Sequence, residues 1–165
     1  MTEEEVMELF ERYHNDLYRL AVSCTGSPQD SEDIVQTVFL KLWEKQPVLL
    51  PGKEKAWLMQ VAVNQCRNVL KAPWRNRRNP LETAELFTWQ TPEESELFRA
   101  ILTLPAGERA AVHLYYFEGY TLREIGRMMG ITPSGVSMRL HRARKRLKSV
   151  LREDEKVETA ISEPV

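Results

Sequence analysis

The stretch Thr121–Arg146, TLREIGRMMGITPSGVSMRLHRARKR, constrains the fold of this chain more than any other. Thr121 and Glu124 have the spacing of a capping box, in which an N-cap hydroxyl and the glutamate three residues on satisfy two orphan backbone N–H groups. The helix they start is predicted to stop at Gly130, which tolerates the left-handed C-cap conformation. Thr132-Pro133 then offers an N-cap and a proline at the first helical position. Two short helices joined by Gly130-Ile131-Thr132, with the small Gly126 where they must cross closely, fit a DNA-binding helix-turn-helix. At about 100° per residue, Val136, Leu140, Ala143 and Leu147 share one stripe of the second helix, predicted to be buried. Ser134, Met138, His141 and Lys145 point the other way, flanked by Ser137 and Arg142. A basic, hydrogen-bonding outer face suits the major groove. Arg144, Lys145, Arg146 and Lys148 lie further along, where they are expected to reach phosphates.

The rest of the chain also reads as helix. Thr2 and Glu5 form another capping box, followed by Val6, Leu9, Phe10, Tyr13, Leu17, Leu20 and Ala21 at helical spacing. Gly26 ends that helix, and Ser27-Pro28 starts a second with Ile34, Val35, Val38, Phe39, Leu42 and Trp43 on one stripe. Pro47 and Pro51-Gly52 frame a loop before a third helix from about Lys53 to Lys71. Residues 73–91 show no clear period and read as a flexible linker, carrying Arg75, Arg77, Arg78, Phe87 and Trp89. Thr91-Pro92 opens a second module containing Leu97, Ile101, Leu102 and Leu104, and Pro105 starts a helix predicted to end near Gly119. The expectation is an all-α chain of two small modules, 1–72 and 92–152, with an acidic tail at 153–165. The second module is a helix-turn-helix, winged-helix-like in kind.

Charge is sorted along the chain. The whole chain carries −1, but residues 1–50 carry −6, 51–80 carry +6, 81–108 carry −5, 109–152 carry +8 and 153–165 carry −4. Two basic blocks separated by acidic ones suggest two contacts with one extended anionic partner. No apolar run approaches the roughly 18 residues of a membrane span, and the acidic MTEEEVMELF start does not resemble a signal peptide, so a cytoplasmic protein is expected. Cys24 and Cys66 fall at apolar-periodic positions and read as core thiols. The sequence shows no phosphate-binding loop, metal spacing or nucleophile–histidine pairing, so neither an enzyme nor a cofactor is expected.

Ser31–Trp43, SEDIVQTVFLKLW, resembles the D-A-E-D-(L/V)-(V/T)-Q-(E/D)-(V/A)-F-(L/V)-(R/K)-(L/V)-W signature of the extracytoplasmic-function (ECF) sigma factors of bacterial RNA polymerase. Ser31 replaces the usual alanine and Thr37 the usual acid, without disturbing the apolar stripe. Ala56–Lys71, AWLMQVAVNQCRNVLK, is similar to that family's W-L-x-x-I-A-x-N-x-x-(R/K)-(D/N)-x-(L/H)-R segment, and Leu104–Glu118 and the helix-turn-helix follow the family as well.

The resemblance implies a factor that binds core RNA polymerase, recognises minus-ten and minus-thirty-five promoter elements, promotes strand opening and initiates transcription of a specific regulon. Asp33, Gln36, Phe39, Leu40 and Trp43 would grip the polymerase largest subunit. Asn64, Arg67, Asn68 and Lys71, with the Pro47–Lys55 loop, would hold the opened minus-ten strand. Ser134, Ser137, Met138, His141, Arg142 and Lys145 would read the minus-thirty-five element. Ser137 and Met138 depart from the usual basic residue and serine, so the promoter sequence does not carry over from relatives. Leu104–Phe117 would meet the polymerase flap, and the linker would run toward the RNA exit path. An anti-sigma partner, in many cases membrane-bound, is implied too; it would hold the two modules closed together with both DNA faces hidden, of which the sequence itself carries no sign. Two other readings stay open: a sigma mimic that occupies an anti-sigma factor, and a stand-alone helix-turn-helix regulator.

Overall fold

The computed structural model describes residues 1–72 and 92–151. The linker and the acidic tail lie outside these residues. Every regular element among the described residues is a helix, with no strand.

In the first module α1 spans Glu3–Thr25, α2 Pro28–Lys45 and α3 Glu54–Lys71. The Thr2–Glu5 capping box forms as the sequence requires: Glu5 N donates to Thr2 Oγ1 (3.2 Å) and Thr2 N to Glu5 Oε2 (2.6 Å). Glu3, Glu4 and Glu5 place negative charge at the positive end of the helix dipole. Gly26 ends α1 at φ 67°, and the Ser27 hydroxyl accepts from Asp30 N (3.2 Å) to start α2. In the second module α4 spans Pro92–Ile101 and α5 Ala106–Val112, continued by a wide turn over His113–Phe117 in which Glu118 N donates to His113 O (3.2 Å). The helix-turn-helix consists of α6, Leu122–Met129, and α7, Pro133–Leu151.

The predicted stripe of α7 is the core of this module: Val136, Leu140, Ala143 and Leu147 are wholly buried. Burial of each leucine contributes roughly 1.5–3 kcal/mol. Gly126 is required by the turn backbone itself. A Cβ there would lie 2.7 Å from the Ile131 carbonyl oxygen and 3.4 Å from Pro133 N.

The two helical modules expected from the sequence are present, and they pack against one another. One continuous apolar cluster runs from Leu9, Leu17 and Leu20 through Leu58 and Cys66 to Leu114, Ile125, Leu140 and Leu147. The cause is visible in the last turns of α1. There Leu20, Ala21, Val22, Ser23, Cys24 and Thr25 are all buried, although Val22, Ser23 and Thr25 lie off the amphipathic stripe. A helix buried on every side needs cover on every side. Val22 finds it against Phe98 and Leu102 of the second module. Cys24 and Cys66 are buried free thiols, as expected.

Gly126→Ala is expected to destabilise the protein by roughly 1–3 kcal/mol, because the added methyl meets rigid backbone. Urea unfolding of the variant beside the parent measures this, and an unchanged midpoint would refute it.

Candidate nucleic-acid interface

The Thr132 side chain accepts from Gly135 N (3.0 Å) and fixes the start of α7. Ser134, Met138, His141, Arg142 and Lys145 are then exposed and Ser137 is half-buried, so the six residues expected to read duplex DNA share an outward face. Two other basic residues of α7 serve the module's own structure. Arg139 donates to the Gly107 carbonyl (3.3 Å). Arg146 Nε lies 3.2 Å from Oε2 of Glu108, a buried carboxylate of α5. Its charge compensates a buried anion, which would be costly to leave unpaired, while 56% of the Arg146 side chain stays exposed.

Asn64, Arg67, Asn68 and Lys71 line up on the exposed side of α3. Asparagine donates and accepts toward a base edge, and the cations suit a phosphodiester backbone. Arg67 is engaged, however: its guanidinium donates to the carbonyl of Met129, the last residue of α6. Beside it, a cleft of about 330 Å³ is walled by Val48, Leu50, Trp57 and Gln60 on one side and by Glu124, Arg127 and Met128 of α6 on the other. Val48 is 97% exposed and Leu50 68%, so the Pro47–Lys55 loop presents apolar side chains to solvent. Gln60, exposed one turn before Asn64, continues the same side of α3 into this cleft.

On α2, Asp33 and Gln36 are exposed, and Leu40 and Trp43 present 60% and 48% of their surface. Phe39 behaves differently from the rest of this set. It is 7% exposed and packs edge-on against Phe10 at 5.0 Å between ring centroids. It supports the rim from beneath, because it sits on the Val35–Leu42 side of the helix.

Polar contacts also join the two modules. Ser23 Oγ lies 2.7 Å from His113 Nδ1, both groups buried. Lys55 Nζ bridges Glu118 (2.7 Å) and Asp16 (3.2 Å). Burial opposes the lysine's charge, but the bonds and charges of Glu118 and Asp16 outweigh it and raise its pKa. His113 is pushed down to about 3 by burial first, then by Arg19 and Lys55. The ring is therefore neutral. With the hydroxyl of Ser23 donating to Nδ1, the Nε2 proton faces Glu118 at 4.0 Å, a carboxylate already held by Lys55.

The sign of the pH dependence follows. Above the ordinary histidine value His113 is neutral whether folded or unfolded. Below that value the unfolded chain takes up a proton that the folded chain refuses, and stability falls until the folded pKa is reached. The loss due to His113 is expected to be about 1.4 kcal/mol per pH unit below roughly pH 6.5. Urea unfolding at several pH values, with His113→Gln lacking this part of the slope, checks the effect; parallel profiles for the two proteins would contradict it.

The comparisons with known proteins agree with this geometry. The family model for Sigma-70 region 2 matches residues 9–76, and that for Sigma-70, region 4 matches residues 94–147. Among curated relatives, the chain is 28% identical over 155 residues to the ECF RNA polymerase sigma factor SigE of Mycolicibacterium smegmatis, covering 87% of this chain and 60% of that protein. It is 29% identical over 148 residues to SigM of Mycobacterium tuberculosis, covering 87% and 76%. Among solved structures, CnrH in complex with the cytosolic domain of CnrY superposes with a TM-score of 0.68 at 25% identity, covering 93% and 91%. The sigma factor RpoE from Bartonella quintana, in complex with the anti-sigma factor NepR, shares the fold with a TM-score of 0.67 at 22% identity, covering 92% and 99%. The chain belongs to the sigma-70 family, as a sigma factor of the ECF type.

Proposed function

We propose that this chain binds core RNA polymerase, directs it to promoters with minus-ten and minus-thirty-five elements, promotes strand opening and so initiates transcription of its own set of genes. The observation that carries this reading is the presence of two chemically different basic faces on one chain. The outward face of α7 suits duplex DNA, and the Asn64–Lys71 face of α3 suits an unpaired strand. The division of labour follows the module boundaries, with 1–72 for polymerase and the minus-ten strand and 92–152 for the minus-thirty-five element and the flap. Asp33, Gln36, Leu40 and Trp43 form the polymerase-facing rim, with Phe39 beneath it. A base held outside the stack offsets the few kcal/mol, roughly, of unstacking it, so opening is driven by binding. Sigma-70 family members act as transcription initiation factors, and the proposed role assigns all bond-making to the polymerase.

The place of action is with the polymerase, in the cytoplasm; no helix among the described residues is long and apolar enough to cross a membrane. An anti-sigma factor, membrane-bound or free, completes the set of partners. CnrH and RpoE, each similar in fold to this chain, are seen in complex with CnrY and NepR. Run-off transcription from genomic fragments by core polymerase, with and without this protein, tests the proposal, and equal initiation in the two reactions would refute it.

Asn64→Ala is expected to reduce open-complex formation at least about tenfold while leaving affinity for core polymerase nearly unchanged. Permanganate footprinting beside a core-binding titration separates the two; equal losses in both would remove Asn64 from the minus-ten site. Duplex affinity is expected to fall steeply with salt. Neutralising about five phosphates gives a log–log slope of about −4 to −5, and a slope near zero would exclude the groove-bound arrangement of α7.

A further inference from the structure

The apolar stripe is not the whole attachment of α7 to its module. Two turns apart on that helix, Arg139 and Arg146 reach back to consecutive residues of α5. Arg139 Nη1 donates to the Gly107 carbonyl (3.3 Å), and Arg146 Nε lies 3.2 Å from Glu108 Oε2. At about 100° per residue the two arginines fall within about 20° of each other, on one flank of the buried Val136–Leu147 stripe. Arg142 comes next round the helix, about 50° further toward the outward face. The residues of α5 at these two points are matched to the arginines. Gly107 has no positive φ that would require glycine, and glycine inside a helix costs about 0.5–1 kcal/mol relative to alanine. What requires it is Arg139: a Cβ at position 107 would lie 2.5 Å from Arg139 Nη1 and 3.3 Å from its Cζ, so a larger residue displaces the guanidinium. Glu108 is buried, and no hydrogen bond among the described residues reaches its Oε2. The Arg146 cation is therefore what offsets the desolvation of that oxygen.

We propose that Gly107 and Glu108 are positioning residues for the minus-thirty-five reader: through Arg139 and Arg146 they fix the roll of α7 about its axis, and with it which base edges Met138, His141 and Arg142 meet. The proposal rests on the assignment of the outward face of α7 to duplex DNA. Apolar packing is non-directional, so the buried stripe holds α7 against its module more firmly than it holds its rotation. A hydrogen bond and an ion pair on one flank, about 10 Å apart along the axis, oppose that rotation. A small roll is enough to matter. At the roughly 5–6 Å radius of a helix surface, about 20° of rotation moves a side chain by about 2 Å. Hydrogen bonds to base edges tolerate only a few tenths of an ångström. Gly107 and Glu108 lie on α5, not on the outward face of α7, and act through the arginines alone. Because α5 lies in the Leu104–Phe117 segment assigned to the polymerase flap, the same short helix sets the reader in relation to the polymerase.

The test uses core polymerase loaded with the full-length chain. It transcribes a barcoded library of promoters randomised in the minus-thirty-five element over a constant minus-ten element, and the barcodes in the transcripts give the base preference at each position. Gly107→Ala is the variant that separates positioning from stability. Alanine is the better helix former, and the atoms it meets are the end of a flexible side chain, so the urea midpoint is expected at or above that of the parent. The preference for the best base over the next is nevertheless expected to fall about fivefold or more at one or more positions, the scale of a lost bidentate base contact. Damage to flap docking would lower the yield from every template alike and leave these ratios unchanged. Glu108→Gln, which keeps the shape of the side chain and removes its charge, is expected to flatten the profile too, and takes the place of Gly107→Ala if that variant folds poorly. A parent profile reproduced by the folded variant would overturn the anchor, while the selective initiation of the parent upholds the sigma reading. A parent that initiates from no template would sink the sigma reading and the anchor with it.

Discussion

Everything in this structure depends on the burial of the last turns of α1. From Leu20 to Thr25 the helix has no solvent face. α2 and α3 cover one side, and the second module covers the other through Val22, Phe98 and Leu102. Two groups of helices too small to form generous cores separately thus share one. A small domain buries a smaller fraction of its surface than a large one, and sharing a core offsets this. Of the polar groups at the junction, Ser23 satisfies His113 Nδ1 and Lys55 pairs with Glu118, while the buried His113 Nε2 faces Glu118 at 4.0 Å, beyond hydrogen-bond reach.

Electrostatics divides the arginines and lysines into two groups. Arg67, Arg139 and Arg146 each bind a carbonyl or carboxylate of the chain itself, and Lys55 binds two carboxylates. Arg142, Lys145 and Lys71 face solvent. Arg146 pairs with Glu108 while more than half of its side chain stays exposed. The outward residues of α7 are held in register by the buried stripe on its opposite side. The same logic places Phe39 and Trp43. They are one helical turn apart on α2, yet one is core and the other is half exposed.

Local signals carried much of this. Capping boxes at Thr2 and Thr121, the glycines at 26 and 130, and the Ser27-Pro28 and Thr132-Pro133 pairs fixed helix starts and ends, because they act through hydrogen bonds within a few residues. The stripe of α7 was legible for the same reason: a period of 3.6 is a local property, and Val136, Leu140, Ala143 and Leu147 obey it. The exposed faces at Asn64–Lys71 and Ser134–Lys145 came out as opposites of such stripes. Resemblance of SEDIVQTVFLKLW to a known signature added the partner that periodicity could not name.

The amino-acid order thus specified the helices, their caps, their buried and exposed sides and the family. The arrangement of one module on the other came from contacts between residues distant in the chain, such as Ser23 with His113, Lys55 with Glu118 and Arg67 with Met129. None of these leaves a periodic trace, since a serine in a helix or a glutamate after one reads as solvated until its partner is placed beside it. Whether a basic residue serves DNA or its own backbone depends on what lies within about 3 Å of its nitrogen atoms. That distance is settled by packing, and packing sums many weak apolar contacts over the whole chain.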